Sequence, residues 1–360
     1  MSSRSTQAVE SEREAAIRLA EARRRIWLDR ITSLGALVVL VVVATIFVDS
    51  FATQTNVVNV LRQTCVNALL ASGMTFVILT GGIDLSVGSV MALVGVIAVT
   101  LMSPDSYRWS PWIASIVSIV ICLFLGFFIG FWVIGWRNPA LERGIQHMRA
   151  PGWVRTALSK LTRKSAVPPF IVTLSFMLII RGVALGISQG QPRLAPREFG
   201  WLGQGEILGI PVPIYVTIIV YLICYFVLTR TKFGRSVYAI GGNEEVARLS
   251  GININAVKLR VYGLCTMLAG LSGIVLASRM GSGQVNVGQG DELNAIAAVV
   301  IGGTSLMGGE GGIWGTLIGA LIIAILLNVL NLLGVPAYGQ YIARGLVILV
   351  AVYIDSSLRR

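Results

Sequence analysis

Between Thr80 and Ser89 the chain reads TGGIDLSVGS, a glycine-rich break carrying one carboxylate between two long apolar runs. Those runs approach the roughly 20 residues that an α-helix needs to cross the hydrocarbon core of a bilayer. Lipid offers a backbone N–H or C=O no partner, so irregular backbone at that depth must be buried in protein or line a watery cavity. A sequence built this way is restricted to helices packed closely enough to shelter the break.

Composition agrees. Hydrophobic residues make up 55% and charged residues 13% of the chain, against roughly 25% charged in soluble domains. The runs lack the alternation of outer-membrane strands. The expected fold class is therefore an all-α polytopic membrane protein of about ten transmembrane helices with broken or re-entrant Gly-rich segments. The spans are expected near 31–48, 60–80, 86–102, 112–136, 167–187, 211–229, 257–278, 292–303, 313–333 and 339–355. The 40 glycines suit helices whose backbones approach closely. The run from Ile31 to Val48 is long enough to span and lacks a small-residue cleavage pattern, so it is expected to be retained.

The net charge of +12 falls in the N-terminal tail and in loops between spans, which points to topology rather than nucleic acid. Arg23, Arg24, Arg25 and Arg30 precede the first span. A second basic group runs from Arg137 to Lys164, and a third from Arg230 to Arg260. Placing all three inside gives a multi-pass protein of the cell (inner) membrane with both termini cytoplasmic. The expected organisation is a cytoplasmic segment 1–30, a transmembrane domain 31–355 with cytoplasmic loops 137–166 and 230–256, and a tail 356–360. The 1–30 segment reads equally as an amphipathic surface helix or a solvated tail. Trp109, Trp112, Trp132 and Trp136 sit where interfacial anchors are expected. Cys65, Cys122, Cys224 and Cys265 have no metal or disulfide spacing and read as small core residues. His147 has no partner, so no metal site is expected.

Asp84 carries the sharpest chemical question, because a charge in an apolar region is expensive. One reading makes it a brace at the start of the following helix, with Ser86 helping. The other makes it a solute contact. A second segment, IGGTSLMGGEGG from Ile301 to Gly312, sets the Thr304 and Ser305 hydroxyls beside flexible backbone. GGIDLSVG and GGTSLMGG share the pattern GGxxLxxG, a weak repeat of the kind found where transporter halves meet. The span count, however, puts both on the same side of the membrane, unlike an inverted pair.

AIGGNEEVARLSGI, Ala239 to Ile252, reads as a short helix outside the membrane. Asn243 is its N-cap, Glu244 and Glu245 favour the positive end and Arg248 the negative end, and Gly251 takes the left-handed stop. It is either a docking helix or an exposed surface helix. There is no GxxxxGK[ST] phosphate loop, GxSxG elbow or HExxH helix in the sequence, so enzymatic activity has no support.

Three blocks together, TGGIDLSVGS, FGRSVYAIGGNEEVARLSGI and ELNAIAAVVIGGTSLMGGEGG, resemble the permease subunits of ribose-type ABC sugar importers. These lie within the branched-chain amino acid and ribose permease superfamily. The resemblance covers most of Asn56 to Asp355; the basic loop and charged N-terminus depart from it. It implies a pathway for a monosaccharide through a homodimer of this chain, two cytoplasmic ATP-binding cassette subunits and an extracytoplasmic sugar-binding protein. ATP and Mg would be bound by the partner ATPase and no cofactor by this chain. It places Asn243, Glu244, Glu245, Arg248 and Gly251 in a coupling helix on the ATPase. Gly81, Gly82, Asp84, Ser86, Gly303, Thr304 and Ser305 would lie in or near the translocation core. An ion-coupled secondary transporter is the alternative, which usually carries more intramembrane carboxylates than this chain. A channel would need rings of carbonyls or like charges.

Overall fold

The computed structural model describes residues 33–103, 106–134, 148, 150–152, 154–155 and 167–358. The expected 1–30 segment, Trp136, His147, most of the basic loop and the last two residues lie outside them. The helices are α1 (Ser33–Phe47), α2 (Gln54–Leu79), α3 (Val87–Met102), α4 (Pro111–Ile134), α5 (Pro169–Ser188), α6 (Trp201–Gln204), α7 (Val212–Arg230), α8 (Lys232–Gly242), α9 (Glu244–Leu249), α10 (Ile254–Met280), α11 (Asp291–Ile301), α12 (Ile313–Leu332) and α13 (Ala337–Leu358). Each expected span falls on one of them. Two short antiparallel pairs complete the described structure: β1 (Arg193–Leu194) with β4 (Ser282–Gly283), and β2 (Glu206–Ile207) with β3 (Ile210–Pro211).

Five helices, α4, α5, α7, α10 and α12, are long and apolar enough to cross a membrane, and α1, α3 and the Ala337–Val350 part of α13 are shorter apolar helices. The outward faces of α4, α5 and α7 expose Phe124, Ile179 and Ile223, as lipid contact requires. Apolar faces toward a solvent that is itself apolar need no cover.

α2 differs. It begins at Gln54, earlier than the expected span, because Thr53 caps it by accepting from the Asn56 N–H at 3.4 Å. At 26 residues it reaches roughly 39 Å, yet it carries Thr64, Asn67, Ser72 and Thr75, all buried. Those polar groups meet protein, not lipid. Asn56 and Asn328 of α12 exchange two amide hydrogen bonds of 3.0 and 2.8 Å. Thr75 meets Thr316 of α12 at 2.8 Å. The Tyr221 hydroxyl of α7 donates to Ala68 O at 3.0 Å, and Ser272 of α10 to Val66 O at 2.7 Å. Such bonds are worth about 1 kcal/mol each, and their larger effect is to fix the rotation of α7, α10 and α12 about α2. The four cysteines are free and buried.

Candidate functional site

The two glycine-rich segments end their helices with one backbone motif. After α2, Gly81 sits in the left-handed region at φ 73°, its N–H donates to Ile78 O, and Gly82 N–H reaches back to Val77 O at 3.0 Å. After α11, Gly303 sits at φ 85°, its N–H donates to Val300 O, and Thr304 N–H reaches back to Val299 O at 3.1 Å. Both are Schellman-type ends in which a residue lacking Cβ satisfies the last carbonyls. The geometric equivalence is therefore Gly81 with Gly303, one residue displaced from the register in which the GGxxLxxG strings align. The left-handed glycine sets the register, and the shared letters do not.

Beyond the turns the segments keep a parallel. Asp84 Oδ1 accepts from the Ser86 N–H at 2.9 Å and from the Ser86 hydroxyl at 2.6 Å. Ser305 Oγ accepts from the Met307 N–H at 3.2 Å. Each is a side-chain turn spanning two residues. Asp84 and Ser86 are fully buried just ahead of α3, and the Asp84 bonds close a turn onto Ser86, not onto the first N–H groups of the helix. The second carboxylate oxygen of Asp84 and the Tyr262 hydroxyl are buried with no hydrogen-bond partner. Gly82 makes room for that hydroxyl, since a Cβ there would lie 2.9 Å from it. Thr304 and Ser305 are buried as well, and Thr304 Oγ1 accepts from Gly312 N at 3.4 Å.

The segments also touch each other and the loop helices. Gly309 N–H donates to Leu79 O at 3.0 Å. Gly241, near the end of α8, is wedged between them: a Cβ on it would stand 1.9 Å from Leu79 O and 2.3 Å from Gly309 N. Sequence reasoning missed Gly241, whose only signal is its position beside another glycine. This three-way seam joins the end of α2, the loop after α11 and the end of α8.

α9 comes directly after α8. Asn243 caps it, its Oδ1 accepting from Val246 N at 3.0 Å, and Gly251 ends it at φ 82°. Glu244 accepts from Lys258 of α10 at 2.7 Å and from Arg248 at 3.1 Å, and Arg248 lies 3.8 Å from Glu245. Burial alone would push the Glu244 carboxyl up; the hydrogen bond and charge of Lys258, joined by Arg248, outweigh it and hold the group below the ordinary carboxylate value. Leu249 is 80% exposed and Val246 57%, so a pinned helix presents apolar side chains outward.

Deeper in the bundle the starts of α3 and α11 face each other. A Cβ on Gly88 would lie 2.2 Å from Gly288 O and 2.3 Å from Glu292 Oε2. The chain approaching α11 is held by Arg181 of α5, whose guanidinium donates to the Val285 carbonyl and, at 2.7 Å, to that of Val287. Beside this crossing lies a polar cavity of about 270 Å³ lined by Gln63, Val66 and Asn67 of α2, Leu276 and Arg279 of α10, Asp291 of α11, Leu327 of α12 and Arg344 of α13. None of the residues expected in the translocation core lines it. No group of three or more metal-ligating side chains occurs among the described residues.

The family described as branched-chain amino acid transport system, permease component, matches residues 56–352. The ribose import permease protein of Escherichia coli (strain K12) is 43% identical over 335 residues, 92% of this chain and 94% of that protein. That of Bacillus subtilis (strain 168) is 41% identical, covering 89% of this chain and 90% of its own. The xylose transport system permease protein of Escherichia coli (strain K12) is 34% identical, covering 86% and 87%. No solved structure matches. With most of its length matched by the family and by these relatives, the chain belongs to the permease-component family of branched-chain amino acid transport systems.

Proposed function

We propose that this chain is the membrane-spanning subunit of an ATP-driven importer of a ribose- or xylose-type monosaccharide. Two copies form the pathway. They work with two cytoplasmic ATP-binding cassette subunits, which bind ATP and Mg, and with an extracytoplasmic protein that delivers the sugar. The observation that carries the reading is end-to-end similarity to ribose and xylose permeases.

The geometry supports a division of labour. α9 faces the cytoplasm, and its exposed Val246 and Leu249 seat in a groove of the ATPase as helix anchors do. Asn243, Glu244, Glu245, Arg248 and Gly251 keep that helix formed and oriented. Gly81, Gly82, Asp84, Ser86, Gly303, Thr304 and Ser305 shape the inner closure of the pathway and do not hold the sugar. Gly241 lies two residues before the α9 cap and touches both closing segments, so displacement of α9 by ATP binding displaces the closure directly. Packed elements of this kind have discrete arrangements, and an effector acts by favouring one of them.

Reconstitution into proteoliposomes tests this reading. With the ATPase, the binding protein and enclosed ATP, radiolabelled ribose or xylose accumulates, and it does not when the ATPase is omitted. Uptake that persists without ATPase and follows a proton or sodium gradient would replace this reading with an ion-coupled carrier.

A further inference from the structure

The polar side chains singled out by sequence at the glycine segments are buried and, apart from the second carboxylate oxygen of Asp84, bond within their own turns, which leaves little there to hold a sugar on its way through. A polar, partly open cavity lies away from the seam. It is bounded by Gln63 and Asn67 of α2, Arg279 of α10, Asp291 of α11 and Arg344 of α13. Its depth is set by helix geometry. Asn67 lies twelve positions before Leu79, so roughly 18 Å of α2 separate it from the seam. Arg279 lies 21 positions after Lys258, which anchors α9, so about 31 Å of α10 separate the cavity from the docking helix. The cavity therefore sits in the half of the bundle opposite α9, with the glycine seam closed beneath it.

Its chemistry suits a neutral polyol. A sugar hydroxyl both donates and accepts. The amides of Gln63 and Asn67 can do both, Asp291 accepts, and Arg279 and Arg344 only donate. Hydrogen bonds with a charged partner are the stronger kind. Asp291 is held in place, its Oδ1 accepting from Asn294 at 2.9 Å. At about 270 Å³ the space is near the lower end of small-ligand pockets, roughly 300 Å³, which suits a single sugar ring. Leu276, Leu327 and Val66 supply apolar wall for the C–H faces of such a ring.

From this we infer that the cavity bounded by Gln63, Asn67, Arg279, Asp291 and Arg344 is the sugar's transit site, and that these side chains, rather than Asp84, Thr304 or Ser305, discriminate among monosaccharides inside the membrane. The inference rests on the sugar-import reading above. It adds a site of selectivity within this chain, distinct from any selectivity of the delivery protein.

The test uses the full complex of this chain, its ATPase and its sugar-binding protein in proteoliposomes, with ribose and xylose as the two probes. Asn67→Ala and Gln63→Ala each remove one amide; Gln63 is only half-buried, so its truncation reads the site even where loss of Asn67 disturbs the bundle. The expected result is ATP-driven uptake reduced roughly tenfold and a ribose-to-xylose ratio shifted at least about threefold, because a site built to bond hydroxyls discriminates by them. The shifted ratio is the reading that a purely structural role would not produce. Uptake and ratio both within about twofold of the parent in Gln63→Ala would overturn the transit site while the import reading stands. A parent complex that accumulates neither sugar with ATP would overturn the import reading, and this inference with it.

Discussion

After Leu79 the chain turns through Gly81 and is then held by a carboxyl group; after Ile301 it turns through Gly303 and is then held by hydroxyl and backbone bonds. The helix ends are alike, so the difference arises in the elements into which the two turns lead. Asp84 leads into α3, which is buried in protein from Val87 to Gly95. N–H groups at such a start have no water, and leaving one unpaired costs about 1–3 kcal/mol. The Asp84 carboxyl supplies an acceptor there, pairing the Ser86 N–H just ahead of the helix. The second segment instead loops outward through Met307, which is 84% exposed. There a turn closed by Ser305 N–H on Glu310 O at 3.0 Å suffices. A carboxyl group thus stands where the chain enters a buried helix, and hydroxyl and backbone bonds where the loop reaches the surface.

Substitution at the point both segments share has the largest expected effect on this contrast. Gly241→Val inserts atoms where Leu79 O and Gly309 N leave no room. It is expected to cost about 3 kcal/mol or more and to remove most monodisperse protein from detergent extracts, measured by size-exclusion yield and Tm. Near-parental yield and Tm would mean that the two segments do not depend on a common contact.

The contrast itself is read by comparing Asp84→Ala with Thr304→Val. Asp84→Ala removes the acceptor of two bonds to Ser86 and is expected to destabilise by about 2–3 kcal/mol. Thr304→Val loses one long bond to Gly312 and is expected to destabilise by about 1 kcal/mol or less. Equal losses, compared by thermal unfolding in detergent, would erase the distinction. Asp84→Asn keeps an oxygen acceptor and is expected to fall between; a fully stable Asn variant with altered transport would instead return Asp84 to the pathway.

A smaller effect separates the seam from α9 by pH. The Glu244 carboxyl is held below its ordinary value, so its link to Lys258 is fully present above the ordinary value of about 4.3. It is lost as pH falls through the lower folded value. Hydrogen exchange is expected to show α9 amides losing protection in that acidic window, while the Gly309 amide bonded to Leu79 does not. Equal loss at both places would show that the seam and α9 do not part on acidification. Glu244 is partly exposed, so the change is small and shrinks in salt.

Much of this fold is legible in the sequence for simple reasons. Apolar runs mark the helices because lipid requires length, and the signals around Asn243 and Gly251 mark α9 because a short helix must carry its own start and stop. The centrality of α2 is not legible. Its partners Ser272 and Asn328 lie 206 and 272 residues away, and its polar positions read only as weaker hydropathy. The repeat register misleads because identical letters track composition, whereas equivalence tracks the single left-handed glycine. The cavity is invisible for a related reason. It is assembled from five helices, four of them giving one or two unremarkable polar residues and α12 only Leu327, with no local motif.

The central claim is that a partner ATPase drives this chain through α9. Its most direct test is ATP-dependent sugar uptake by the complete complex carrying Glu245→Arg or Gly251→Val. The first reverses an exposed charge beside Arg248, and the second places a branched residue at φ 82°, where it is strained. Both variants are predicted to insert into the membrane and to lose uptake, with ATP hydrolysis no longer stimulated by the sugar-loaded binding protein. Parental uptake and stimulation in both would contradict the claim.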